Sequence, residues 1–374
     1  MADKFAAAVM VGERQTEVRE FEMPEIGPNE GVLRIEACGV CGSDWPGYLR
    51  ARPGTEPHIL GHETVGFMAR VGAEASKRWG VKEGDRVAVE EFIPCGHCRA
   101  CRSGHYQVCE ATDPMSARAN GEVALRYGST PLSVPPHVWG GYSQFMYLHP
   151  NSIIYKVPAH VSAEEAPLFI PISNGIRWVN QDGEAGVGST VVILGPGQHG
   201  LGCVIGAKEA GAYRIIVSGL SRDADRLELA KELGATHTIV ADKEDLFDRV
   251  KEITDGEMAD VTIDITSGSA TAINDALRVA GKRGRVIVAG GVRGSVPDFS
   301  TSEIHRKELT IRGVRGHDFR SVLPAIELIA SGRYPLAKLC THRYGLEDVD
   351  FALRTAAGET EEKPIHISIV PDLD

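Results

Sequence analysis

The chain has 374 residues, of which 43% are hydrophobic and 24% charged, enough for two ordinary domains with real cores. Its formal net charge of -11 comes without a basic cluster, which excludes a nucleic-acid partner, and no stretch reaches the roughly 18 apolar residues of a membrane span. The opening MADKFAAAVMVGERQ lacks the basic start and apolar length of a secretory signal, so a cytoplasmic protein is expected.

In chain order, the first 160 or so residues carry short β-like runs broken by glycine and proline: GVLRIEACGV, TVGFMARVG, GDRVAVEEF and GGYSQFMYL. These predict a β-rich domain. From about residue 172 the texture changes. TVVIL at 190–194 reads as a buried strand, followed by a helix from Gln198 to Gly211. RIIV, the helix DADRLELAKELGA, HTIV, the helix EDLFDRVKEIT, VTIDIT, the helix TAINDALRVA, RVIVAG and LTIRGV continue the alternation to about 314. Six strands alternating with helices predict an α/β unit built on a parallel sheet covered on both faces. The helix SVLPAIELIASG then leads into a mixed carboxyl-terminal segment.

Three motifs carry chemistry. TVVILGPGQHGLG reads strand, then Gly195-x-Gly197-x-x-Gly200, then helix. The first glycine permits a tight turn, the second lets backbone approach a pyrophosphate, and the third packs helix on strand. Gln198 and His199 complete the loop, and the helix N-terminus offers free N–H groups to phosphates. An acid binding the ribose 2′-OH of NAD is expected at the end of the second strand. That position holds Gly219, followed by Ser221 and Arg222, a hydroxyl and a guanidinium suited to a 2′-phosphate. The pattern favours NADP over NAD, although Asp223 and Asp225 lie within reach of Arg222.

The second motif is PCGHCRACRSGHYQVC, which places half of the eight cysteines, Cys95, Cys98, Cys101 and Cys109, in one lobe. Four thiolates at this spacing suit a closed tetrahedral structural zinc, in a reducing compartment. Iron–sulfur ligation is the competing use, with nothing else here suggesting electron transfer. His97 and His105 fall inside the lobe and read as surface residues. The third motif, GVCGSDWPG, sets Cys41, Ser43 and Asp44 within four positions, half of a metal site that handles an alcohol.

GVCGSD, GHE at 61–63, the four-cysteine lobe and GPGQHG, in this order and spacing over nearly the whole length, resemble the zinc-containing medium-chain alcohol dehydrogenases and reductases. The resemblance implies a β-rich GroES-like catalytic domain formed by residues 1–171 and 315–374, with its zinc lobe at about 93–112. A doubly wound Rossmann domain would span 172–314, with substrate and nicotinamide meeting in the cleft between the two. Cys41 and His62 would bind a catalytic zinc, with Glu63 beside it. Asp44 would orient the histidine, and Ser43 would pass the substrate proton outward. The physical reason stands apart from the family: zinc lowers the pKa of an alcohol and polarises a carbonyl, while the nicotinamide carries the hydride. The family also implies a homodimer or homotetramer joined through the Rossmann sheet edge.

Two positions depart from the family pattern. The third zinc ligand falls on Ile170, which has no donor atom, and a relay histidine is replaced by Pro46. Three readings stay open: Glu63 supplies the missing ligand; another side chain such as His58 or His137 reaches in; or the site works without metal, with Ser43 or a tyrosine as proton donor. Trp45, Tyr48, Trp139 and Ile170 are candidates for an apolar substrate pocket, and Asn174 is placed by analogy near the nicotinamide. The leading expectation is a zinc-dependent NAD(P) oxidoreductase acting on a fairly apolar or cyclic secondary alcohol or its ketone. The alternatives are a metal-independent reductase of an activated C=C or carbonyl group, and a non-catalytic NADP(H)-binding sensor or structural protein.

Overall fold

The computed structural model describes residues 4–49, 51, 54–121, 123–267, 269–290 and 295–372. They fall into two compact units. The first runs to Phe169 and takes in Ile326–Gly332 and the segment from Leu339 onward; the second comprises Ile170–Ala325 and Arg333–Lys338.

The first unit is the β-rich one. Apolar residues fill most of strand Gly31–Gly39, which is buried at all but two positions and stands at the centre of a seven-stranded sheet. It pairs antiparallel with Glu63–Val71, Phe145–Leu148 and His366–Ile369. Beyond Glu63–Val71 lie Arg86–Val89 and Ile154–Lys156, and beyond His366–Ile369 lies Cys340–Tyr344. A three-stranded sheet of Gln15–Glu22, Lys4–Gly12 and His58–Ile59 adds to the unit. Val9, Leu33, Ile35, Ile59, Met68, Tyr142 and Met146 pack in its core, each such apolar side chain contributing about 1.5–3 kcal/mol on burial.

The second unit is a six-stranded parallel sheet. Its spatial order is His237–Val240, Arg214–Gly219, Thr190–Leu194, Ala259–Asp264, Ala280–Val288 and Thr310–Gly313. In chain order these are strands 3-2-1-4-5-6 of the sheet, the doubly wound Rossmann arrangement. Thr190–Leu194 is buried at every residue because it has a strand on each side. Helices Gln198–Ala210, Ala224–Leu233, Leu246–Ile253 and Ala272–Val279 connect the strands where the apolar periodicity places them.

The return to the first unit begins at Ile326, not at residue 315, and local hydrogen bonds explain why. The Arg177 guanidinium donates to the carbonyls of Arg315 and Gly316, and the Trp178 indole N–H donates to Gly316 O at 3.0 Å. These bonds tie the 315–317 segment to the second unit.

Candidate functional site

Strand register assembles the metal-handling residues of the first unit. Gly39 ends one strand and Glu63 begins its antiparallel neighbour, and the two are paired directly. Cys41, Ser43 and Asp44 therefore emerge beside His62 and Glu63 at one end of the sheet. The Asp44 carboxylate is the hub. Oδ2 accepts the Cys41 backbone N–H at 3.0 Å and the Tyr142 hydroxyl at 2.9 Å, while Oδ1 lies 3.2 Å from His62 Nδ1. This directs the His62 Nδ1 proton to Asp44 and leaves Nε2 as the donor for a metal. Nε2 lies 3.5 Å from Ser43 Oγ and 3.8 Å from Glu91 Oε2. Burial alone would push the His62 imidazole down. The Asp44 and Glu91 charges, with hydrogen bonds to Asp44 and Cys41, outweigh it and hold the group well above the usual histidine range.

Glu63 is fully buried, and its Oε2 lies 3.5 Å from Nε2 of the equally buried His366. A Cβ on Gly39 would collide with both groups, so only glycine leaves room for this pair. A Glu63 carboxylate oxygen and the Cys41 sulfur lie within 4.8 Å of each other. Thiolate, imidazole and carboxylate form a donor set that fits zinc.

In the lobe, the sulfurs of Cys95, Cys98, Cys101 and Cys109 all lie within 4.8 Å of one another, with Cys95–Cys101 and Cys98–Cys109 at 4.0 Å. Tetrahedral zinc with Zn–S bonds near 2.3 Å needs sulfurs about 3.8 Å apart, so the cage fits. Backbone N–H groups of Cys95, Cys98 and Cys101 point at sulfurs of the set at 3.3–3.4 Å, which suits thiolates. His97 is exposed, its Nδ1 held 2.9 Å from the Cys95 carbonyl. Behind the lobe, Glu90 accepts the hydroxyls of Tyr106 and Tyr155, each at 2.6 Å.

In the second unit the glycine loop leaves the sheet at the switch point, because Thr190–Leu194 pairs with Arg214–Gly219 on one side and Ala259–Asp264 on the other. Gly195 has φ +104°, open to glycine, and a Cβ on Gly200 would run into the Gly195 carbonyl. Nothing lies within 4 Å of where a Gly197 Cβ would sit, and no side chain caps helix Gln198–Ala210. Space and the N-terminus of this helix fit a pyrophosphate. Gln198 is buried. His199 Nδ1 lies 3.4 Å from Asn174 Nδ2, and Asn174 Oδ1 lies 3.3 Å from His317 Nδ1. A Cβ on Gly219 would lie 2.9 Å from Pro196, so no acid fits there. Asp223 pairs with Arg226 at 3.3 Å, and Arg222 is exposed with no ion pair among the described residues.

Comparison with known proteins gives the family. Residues 27–159 match the alcohol dehydrogenase GroES-like domain family, and residues 200–331 match the zinc-binding dehydrogenases. The chain is 39% identical over 369 residues to a protein of Mycobacterium tuberculosis named "Probable alcohol dehydrogenase", covering 98% of each. The chain belongs to the zinc-type medium-chain alcohol dehydrogenase family. This dehydrogenase is also 33% identical to the sorbitol dehydrogenase of Bacillus subtilis, over 94% of this chain and 93% of that one. Its fold matches the crystal structure of an alcohol dehydrogenase from Thermotoga maritima with a TM-score of 0.85, at 26% identity, covering 99% and 100% of the chains.

Several expectations for the dehydrogenase need correction. Tyr48 and Trp139 do not line a pocket: both are core residues of the first unit. The Trp139 indole donates to Val134 O amid Tyr127 and Tyr147. Trp45, next to Asp44, is half-buried, and Ile170 is a buried apolar residue at the start of helix Phe169–Ile176. His58 and His137 hold backbone carbonyls, of Glu56 and Leu132.

Sequence reasoning missed Glu91, Tyr142 and His366. Glu91 is buried beside His62, and Arg126 Nε donates to its Oε2 at 3.0 Å. Its signal was the acidic pair Glu90–Glu91 ending an apolar strand. Tyr142 and His366 gave no local signal: backbone bonds of Tyr142 with Leu60 and Ala8 bring in the first, and strand pairing the second.

Proposed function

We propose that this dehydrogenase transfers a hydride between NADP(H) and a secondary alcohol or its ketone, of fairly apolar or cyclic character. The observation that carries the reading is Asp44 holding His62 Nδ1, so that Nε2 is turned away from it, with the Cys41 and Glu63 donors within 4.8 Å of each other. Cys41, His62 and Glu63 would hold a catalytic zinc, and the four lobe cysteines a structural one. Bound there, zinc supplies Lewis acidity toward the substrate oxygen. Ser43, exposed and next to His62 Nε2, accepts the alcohol proton and passes it to solvent; in reverse it donates that proton to the nascent alkoxide. A nicotinamide held at the glycine loop would supply the hydride acceptor, so that an alcohol oxidised by two electrons would leave the cofactor reduced by two.

Gly219 and Arg222, which has no ion pair among the described residues, support NADP. Trp45 and the apolar Ile170 support the substrate class, and Ile170 stands against a polyol. Strand Thr310–Gly313, exposed at every residue with Ile311 outward, supports a homo-oligomer joined along that edge. Among the described residues no helix is long and apolar enough to cross a membrane.

The test is zinc per subunit in protein purified without added metal, with NADPH and NADH turnover on cyclic ketones, aliphatic ketones and polyols. About two zincs per chain with chelator-sensitive ketone reduction support the proposal. About one zinc, with turnover untouched by chelator, points instead to metal-free reduction. Cofactor binding without turnover of any compound marks a sensor.

A further inference from the structure

The adenosine end of the cofactor site contains a carboxylate that the loop motif itself does not reveal. Strands Arg214–Gly219 and His237–Val240 run parallel as neighbours, with Gly219 paired to Val240. The segments that follow therefore leave the sheet side by side, and Ala241 N–H donates to Gly219 O at 2.9 Å. One residue later, Asp242 Oδ1 accepts the Ser221 backbone N–H at 2.7 Å. Hydrogen bonding to Ser221 keeps the Asp242 carboxyl below the usual range, hence ionised at neutral pH. The neighbouring N–H, of Leu220, is taken by Asp223 Oδ2 at 3.0 Å.

Ser221 and Arg222 are the groups that would hold a ribose 2′-phosphate. With the Ser221 N–H turned to Asp242, Arg222 is left as the main group to bind the phosphate, next in the chain to the residue that holds a fixed negative charge. That charge opposes a dianionic 2′-phosphate and is compatible with a neutral 2′-hydroxyl.

We infer that Asp242 is a specificity-determining residue of the cofactor site: it withholds the Ser221 N–H from the 2′-phosphate and sets a negative charge beside it, so that the dehydrogenase accepts both cofactors and its preference for NADP(H) stays modest. The inference rests on the dinucleotide reading of the GPGQHG loop and on Arg222 facing the ribose. It concerns the third strand's exit, a position outside the glycine fingerprint. Asp242 acts through Ser221 and through its charge, and has no part in hydride transfer.

The experiment is fluorescence titration of the full-length protein with NADPH and NADH, comparing wild type, Asp242→Asn and Arg222→Gln. Asparagine keeps an oxygen for the Ser221 N–H, so the turn is retained, and a thermal melt checks that it is. Asp242→Asn is expected to tighten NADPH binding about tenfold while NADH changes less than about twofold. Arg222→Gln is expected to weaken NADPH alone. The NADPH gain in Asp242→Asn should shrink as salt rises, because the opposing charges sit near solvent. An unchanged NADPH/NADH ratio in Asp242→Asn, or an equal gain for both cofactors, overturns the inference. If wild type binds neither cofactor, the dinucleotide reading itself fails, which is a separate result.

Discussion

His366 Nε2 stands 3.5 Å from Glu63 Oε2, with neither side chain exposed to solvent. The two come from strands on either side of Gly31–Gly39, one near residue 63 and the other at the carboxyl end of the chain. The imidazole therefore faces a carboxylate that the proposed zinc site needs as its oxygen donor. Removing His366 leaves the buried Glu63 carboxylate without the imidazole beside it, at about 1–3 kcal/mol. His366→Ala should lower the melting temperature and reduce zinc at the Cys41 site while the lobe keeps its ion. Gly39→Ala should do the same through collision with both groups. Calorimetry with metal analysis checks this, and a His366→Ala protein with unchanged melting and full zinc would remove the role assigned to the pair.

Asp44 receives three contacts, from Cys41 N–H, the Tyr142 hydroxyl and His62 Nδ1. Asp44→Asn keeps the shape, removes the charge and disturbs the choice of His62 tautomer. The expected outcome is a loss of about 10–100-fold in catalytic zinc affinity, read by competition with a zinc chelator. Tyr142→Phe loses one hydrogen bond and should cost only about 1 kcal/mol of stability. Equal effects from the two variants would show that Asp44 matters as packing, not as an orienting charge.

The four-cysteine lobe is a contiguous segment that would hold its own ion. Cys101→Ser removes one of four thiolates from a closed cage, and should drop total zinc by about one per chain and destabilise the protein, leaving ligation at Cys41 and His62 intact. Metal analysis with thermal melting gives the answer. Full zinc content in Cys101→Ser would mean the lobe does not hold the ion through this set.

The pH response of stability has a defined sign at two histidines. Burial, assisted by Arg78 and opposed by Glu30, pushes the His149 imidazole down, and its Nδ1 accepts the Asn151 N–H at 3.0 Å. His58 is lowered in the same way, by burial first. A folded-state pKa below the unfolded value of about 6.5 means the unfolded chain takes up the proton first as pH falls. The stabilisation is thus complete above about pH 6.5 and is lost as the pH falls toward the folded pKa. Denaturant melts between pH 7.5 and 5 should show wild type losing more stability than His149→Gln. Parallel curves for the two proteins would remove His149 from the response.

Local pattern carried much of this molecule. Six β-runs alternating with helical runs specified a parallel sheet, because period-2 and period-3.6 patterning leave different marks in sequence. The glycine loop and the four-cysteine lobe were legible because each is a contiguous segment whose backbone performs the task. The halves GVCGSD and GHE were legible for the same reason. What only tertiary structure decided is which distant side chains complete them. Antiparallel register set Glu63 opposite Gly39, strand order brought His366 and Glu91 to the same end, and Tyr142 reached Asp44 across 98 residues of chain. Trp139 and Tyr48 went the other way, from expected pocket to core, since an aromatic residue carries no mark of the face it will occupy. Asp242 joined Ser221 because parallel strands leave a sheet together, a neighbourhood set by hydrogen-bonded register and invisible along the chain.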